Sequence, residues 1–196
     1  MEPARSRQSG RAGFVLAGGR SSRMGRDKAL LPFGPATLLE YVASQVAEAA
    51  GSVVVVGHPE RYRSLGLDVV ADAAYGNGPL GGIITALRIT QADWNLVTAC
   101  DMPGVTAPFL RSLLEEAERC GGDCLVPLTP NGPEPLCAVY HRDCLPRLER
   151  AADAGVLAVR EAIAGPGLVG RRAENPFCFR NLNTPEDFEL HRVASR

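Results

Sequence analysis

The chain carries no surplus of positive charge. Its 196 residues include 21 Lys and Arg against 22 Asp and Glu, a formal net charge of -1. A protein whose surface tracks nucleic acid shows an excess of basic side chains. That class is excluded as the overall design, although a local basic pocket for one small anion is not. Long hydrophobic runs are missing too. The densest apolar stretch, Val53 to Val56, is strand-sized, far short of the roughly 20 residues that a membrane-spanning helix requires. The first residues, MEPARSRQSGRAG, lack the hydrophobic centre of a secretory signal. Arg5, Arg7 and Arg11 give them a faint likeness to a transit peptide, but Glu2 and the short length favour a solvated, disordered tail over residues 1–11. No internal repeat or low-complexity linker interrupts residues 12–196, which are read as a single domain.

Six cysteines stand at positions 100, 120, 124, 137, 144 and 178. A chain of this size, 45% hydrophobic, can bury a core without disulfide staples. Cys120 and Cys124 are four apart, and no second pair or His pair completes a zinc pattern. Reduced thiols packed as small apolar groups in a cytoplasmic protein are therefore expected. His58, His141 and His191 share no metal-ligand spacing and read as surface or turn residues.

What is present is an alternation of strands and helices. Gly13 to Ala17 reads as a short buried strand that runs into glycines. Leu38, Leu39, Val42, Ala43, Val46 and Ala47 recur at helical spacing within Thr37 to Ala50, and Gly51 follows as a stop. Strands are expected over Ser52 to Gly57, Asp68 to Ala71 and Trp94 to Ala99, with a helix over Leu80 to Ile89. A helix starting at Pro108 and running to Arg119 follows, then strands at Asp123 to Pro127 and Pro135 to Tyr140. His141 to Ala152 and Val156 to Ala164 read as helical, Leu168 to Val169 as a strand and Phe177 to Leu182 as extended. Thr184 is placed to cap a last helix starting Pro185-Glu186. This order predicts an α/β fold, a Rossmann-like three-layer sandwich with a mostly parallel sheet. Ligands of such sheets bind at the carboxyl ends of the strands, so the loops after Ala17, Ala71 and Ala99 are expected on one rim.

Those loops hold the chemistry. LAGGRSSRMGRDK, Leu16 to Lys28, offers Gly18, Gly19 and Gly25 for close backbone approach, and Arg20, Arg23, Arg26 and Lys28 for anionic oxygens. It matches neither the P-loop nor GxGxxG, yet four cations directly after the first strand suit a polyphosphate; the plainer alternative is a flexible glycine turn with surface arginines. Asp101 ends the strand WNLVTAC. A lone carboxylate there suits Mg²⁺, which takes one or two carboxylates and fills its shell with phosphate oxygens and water; the plainer alternative is a turn cap before proline. Asp72 is open to a magnesium contact, a nucleotide contact or a strand-end cap. Tyr75 to Gly82, YGNGPLGG, leads glycine-rich into a helix whose first N–H groups either meet a ligand or close a turn. Asn181, Asn183 and Thr184 serve either a ligand or the turn itself.

Taken in order, LAGGRSSRMGRDK, GPLGG, CDMP, EPLCAVYH at 134–141 and NLNTPEDF resemble the molybdenum cofactor guanylyltransferases over nearly the whole chain. The resemblance implies the nucleotide-diphospho-sugar transferase-like fold and transfer of GMP from MgGTP to the terminal phosphate of Mo-molybdopterin, with pyrophosphate released. It places Leu16, Ala17, Gly18 and Gly19 on the guanine nucleotide, Lys28 on its phosphates with Arg23 beside it, Asp72 at a nucleotide-contacting aspartate, Asp101 at the magnesium ligand and Asn181 and Asn183 near the pterin. It also implies contact with other cofactor-synthesis proteins and molybdoenzyme chaperones, and neither nucleic acid nor membrane. One stretch departs from the pattern. Relatives often carry Asn at the end of the second strand, where this chain reads Val56-Gly57, so a base contact is lost or replaced. Cytidylyltransferase relatives tend to read LAAG, and Gly19 fits the guanine type. The alternatives are a cytidylyltransferase, a transferase with another phosphorylated acceptor, and a non-catalytic nucleotide-binding regulator.

Overall fold

The computed structural model describes residues 10–18, 27–73, 78–182 and Asp187. Strand β1 (Arg11–Leu16) begins two residues before the expected Gly13, and Gly10 accepts a hydrogen bond from Trp94 N, so both Gly10 and Arg11 belong to the sheet and not to the tail expected over residues 1–11, whose other residues lie outside the described ones. A small hairpin follows, β2 (Pro32–Phe33) and β3 (Ala36–Thr37). Helix α1 (Leu38–Ala50) has a complete start. Thr37 Oγ1 accepts from Glu40 N while the Glu40 carboxylate accepts from Thr37 N, so two otherwise orphaned donors are satisfied. Gly51, in the left-handed region at φ 83°, ends the helix.

The remaining elements come as β4 (Val54–Gly57), α2 (Pro59–Tyr62), β5 (Val69–Ala71), α3 (Gly78–Ile89), β6 (Trp94–Ala99), α4 (Ala107–Ala117), β7 (Cys124–Thr129), β8 (Gly132–Pro133), β9 (Cys137–His141), α5 (Leu145–Asp153), α6 (Val159–Ala162) and β10 (Leu168–Arg172). The main sheet runs β10-β7-β9-β6-β1-β4-β5, with β8 on β7. It is parallel except for β8 and β9; β9 lies antiparallel between β6 and β7. The expected mostly parallel sheet is thus present, and β9 is the strand that EPLCAVYH supplies.

Strand side chains alternate between two cores. Val15, Val55 and Leu96 join α1 and α4 on one face, while Phe14, Val56 and Val97 join α3, α5 and α6 on the other. Burial on both faces explains why these strands read as continuous apolar runs.

Three expectations need correction. Phe177 to Leu182 is not extended throughout. Asn175 Oδ1 accepts from Phe177 N, and Pro176 opens a 3-10 turn over Pro176–Phe179. The helix expected from His141 begins at Leu145, after a separate 3-10 turn at Arg142–Cys144. The helix expected from Val156 is shortened to Val159–Ala162, because Val156 N is used to close the end of α5 on Ala151 O. The last helix lies outside the described residues apart from Asp187, which is helical. All six cysteines are free thiols, four of them buried. No helix among the described residues is long and apolar enough to cross a membrane.

Candidate active site

The chain order reverses across the sheet beside β1. After β1 it moves outward to β4 and β5, and then crosses to the opposite side of β1 as β6. The carboxyl ends of β1 and β6 diverge there, which is where open α/β sheets bind ligands. Asp101 follows β6 and Lys28 follows β1. The two side chains meet across this crevice, Lys28 Nζ lying 2.5 Å from Asp101 Oδ2. They sit 73 residues apart in sequence. Lys28 is also the only lysine in the chain, every other strong cation being an arginine.

Lys28 is held from both sides. Asp27 accepts from Ala29 N through Oδ1 and so caps the 3-10 turn Lys28–Leu30. Its Oδ2 accepts from Tyr62 Oη at 3.0 Å and from Arg61 Nη1 at 3.1 Å. Ala29 is buried in the α1-side core. The peptide on each side of the ammonium group is therefore anchored. Asp27, Arg61 and Tyr62 carry no sequence signal as site residues, because their contact joins segments 34 and 35 residues apart.

Gly57 makes that contact possible. A Cβ at this position would collide with Ala17 O and come within 3.0 Å of Tyr62 Cε2. Val56, its neighbour, is buried against α3. The departure from the expected Asn thus has a local structural role: the end of β4 passes tight under β1 and Tyr62. We predict that Gly57→Ala costs about 2 kcal/mol through overpacking, read as a lower denaturation midpoint at unchanged slope.

The other predicted residues fall as follows. Leu16 and Ala17 are tied into the sheet: Leu16 O accepts from Cys100 N, and Ala17 N donates to Val56 O. The Leu16 side chain packs under Gly82 of α3. Gly18 is exposed, with open space around its Cα. Asp72 accepts from Thr85 Oγ1 at 2.9 Å and so ties the end of β5 to α3. Between β5, which Asp72 follows, and β6, which Asp101 follows, lie three inter-strand spacings, about 14 Å in all. Asn181 is exposed and is drawn to the Asp101 turn because Leu182 N donates to Asp101 O at 2.9 Å. Gly104 lets the Pro176–Phe179 turn close on the same loop, since a Cβ there would come 2.7 Å from Cys178 O. Gly19, Arg23 and Asn183 lie outside the described residues.

Beside the Asp101 loop opens a cleft of about 200 Å³, lined by Gly104, Thr106, Phe109, Pro127, Arg171 and Cys178 among others. The Arg171 guanidinium lies over the Phe109 ring, 5.6 Å from its centroid, and donates to Ser112 Oγ. Burial, followed by the neighbouring Asp101 charge, pushes the Cys100 thiol up to about 12, away from the thiolate form. Among the described residues no three His, Cys, Asp or Glu side chains cluster to hold a metal by themselves. Asp101, a hard oxygen donor at the mouth of a crevice, fits a Mg²⁺ that brings phosphate oxygens and water as its other ligands.

Comparison with known proteins decides the family. Residues 13–166 match the family described as MobA-like NTP transferase domain.

The chain belongs to the MobA-like NTP transferases.

A relative from Pelotomaculum thermopropionicum, named as a probable molybdenum cofactor guanylyltransferase, is 37% identical over 93% of this chain and 92% of its own. One from Nostoc sp., with the same name, is 34% identical over 90% and 88%. Among solved structures, molybdopterin-guanine dinucleotide biosynthesis protein A from Archaeoglobus fulgidus superposes with a TM-score of 0.79 at 28% identity, over 94% of this chain and 98% of that one. The 2-C-methyl-D-erythritol 4-phosphate cytidylyltransferase of Thermus thermophilus shares the fold, with a TM-score of 0.71 at 18% identity over 93% and 98%. As a MobA-like NTP transferase the chain is a nucleotidyltransferase enzyme, and the Lys28–Asp101 crevice is its candidate active site.

Proposed function

We propose that this protein transfers GMP from GTP to the terminal phosphate of molybdenum-loaded molybdopterin, forming the guanine dinucleotide cofactor and releasing pyrophosphate. The observation that carries the reading is the Lys28–Asp101 pair at the switch point of the sheet, in a chain whose relatives bear the guanylyltransferase name. The attacking group is a phosphate monoester, already anionic near neutral pH because its second pKa is about 6. No general base is therefore needed. The difficulty is to bring two anions into line, and positioning with charge neutralisation meets it.

Asp101 would hold Mg²⁺, whose chemistry when bound is to neutralise phosphate charge and stabilise the pyrophosphate leaving group. Lys28, with Arg23, places positive charge on the triphosphate. Gly18 and Gly19 let the loop backbone approach the nucleotide, with Leu16 and Ala17 forming its floor and Asp72 standing at the β5 end of the same rim. Asn181 and Asn183 would serve the acceptor side, where the cleft beside the Asp101 loop offers the Phe109 ring and the Arg171 guanidinium, itself paired with Glu116. Proteins that supply the pterin and receive the dinucleotide are the expected partners, and the cytoplasm is the expected compartment.

A cytidylyltransferase reading draws on the missing Asn at the end of β4. Pyrophosphate release with Mo-molybdopterin separates the two. GTP is expected to support it in the presence of Mg²⁺, with CTP and ATP near background. Release with CTP in preference to GTP would move the protein to the sister activity. No release with any nucleotide would leave a different acceptor or a non-catalytic binder.

A further inference from the structure

The turn that carries Lys28 and the segment after β4 are joined by one carboxylate. Asp27 directly precedes Lys28, and its two oxygens face in different directions. Oδ1 serves the turn that carries Lys28, while Oδ2 serves the segment after β4 through Tyr62 Oη and Arg61 Nη1. Tyr62 is a fully buried ring in the α1-side core, seated where Gly57 leaves room for it. Arg61 is nearly half exposed and adds a surface strand to the same knot. We propose that Tyr62, supported by Arg61, is a positioning residue for nucleotidyl transfer: through Asp27 it fixes the turn that holds the Lys28 ammonium at the crevice.

This inference rests on the reading of Lys28 as a phosphate contact. Lysine carries a compact charge on a flexible four-carbon stem. With many rotamers open to it, its placement depends on how firmly its backbone is held. A turn of three residues has little rigidity of its own, because its hydrogen bonds are few and poorly aligned. The rigid element nearby is the packed ring of Tyr62, which enters the core from α2. Anchoring a mobile cation to a buried ring converts core packing into precise charge placement, and charge placement is what this reaction requires.

The test uses the fact that Lys28 is the only lysine. Full-length protein labelled with ¹³C at lysine Cε gives one side-chain signal, which reports on Lys28 directly. Tyr62→Phe keeps the ring and removes only the hydroxyl, and the double variant Tyr62→Phe/Arg61→Ala frees Oδ2 of both partners. Arg63→Ala is the control, since Arg63 is exposed and pairs only with its neighbour Glu60 among its described ion pairs. The expected result is a Lys28 signal that shifts and sharpens in both clamp variants and not in the control. With it, kcat for pyrophosphate release falls roughly tenfold in the double variant, as expected when a charged group is misplaced by a fraction of an ångström. The KM for GTP changes less, and the variants stay folded at the assay temperature. Asp27→Asn, which retains a cap for Ala29 N, is expected to give the same Lys28 signal change, with little further change when combined with Tyr62→Phe. A Lys28 signal that responds to GTP and Mg²⁺ but is indifferent to Tyr62→Phe and to the double variant overturns the positioning role. A wild-type Lys28 signal indifferent to GTP and Mg²⁺ overturns instead the phosphate reading on which it rests.

Discussion

Asp101→Ala is expected to bring magnesium-dependent pyrophosphate release to background while leaving the protein folded. Metal-assisted charge stabilisation of a transferring phosphoryl group contributes several kcal/mol, so the loss should be roughly 10³-fold or more. Stability should fall only in part. Asp101 is 9% exposed, its described side-chain partner is Lys28, and the backbone carbonyl that receives Leu182 N is untouched by the substitution. Breaking a buried pair leaves the other charge uncompensated, and since Lys28 keeps some access to water the cost should be about 3 kcal/mol or less, worth roughly 6–12 °C in a domain of this size. Activity and thermal unfolding measured side by side check both halves. Turnover near the wild-type level in Asp101→Ala would remove the metal assignment. A collapse of the melting transition would make Asp101 structural.

Lys28→Ala should lower turnover by roughly 10²-fold, the usual effect of removing one preorganised charge from a phosphoryl-transfer site, and should weaken GTP binding. It also has a consequence of opposite sign. In the free protein the Asp101 carboxylate is paired with the ammonium, so a divalent cation arriving alone must displace it. In Lys28→Ala that competition is gone, and Mg²⁺ or Mn²⁺ should bind more tightly without nucleotide, while the nucleotide complex is weaker. Calorimetric titration of the metal alone, and then of GTP with the metal, reads both directions. Unchanged GTP affinity with unchanged turnover would return the loop to a plain glycine turn. Weaker GTP binding with no gain in metal affinity would keep the phosphate contact and remove the competition. Lys28→Arg is not a neutral exchange here. A planar, forked guanidinium cannot take the place of a point charge 2.5 Å from one carboxylate oxygen.

Much of this could be read along the chain because it is local. The Thr37 start and Gly51 stop of α1, the strand Trp94–Ala99 and the carboxylate at its end are set by neighbouring residues, so periodicity and capping rules reach them. The clustering of arginines, glycines and Lys28 after the first strand is also a property of one segment. Where periodicity and composition fail, a local cap or a long-range contact intervenes. Phe177 to Leu182 looks extended by composition, yet Asn175, Pro176 and the close fit of Gly104 under Cys178 fold it into a turn on the Asp101 loop. His141 to Ala152 looks like one helix, but β9 holds residues through His141 in the sheet and delays the helix to Leu145.

The sequence by itself determined the class of fold, the family pattern and the types of group available to the site: one lysine, a rim carboxylate and a glycine-rich loop. Only the tertiary structure decided which of these meet. Lys28 and Asp101 are neighbours because β6 crosses to the far side of β1, a consequence of sheet order that no spacing rule contains. Asp72 stands apart from them because β1 and β4 lie between β5 and β6. Tyr62 reaches Asp27 because Gly57 leaves it the space. Side-chain chemistry is a local property written residue by residue, whereas proximity across a sheet depends on how the whole chain buries its apolar faces.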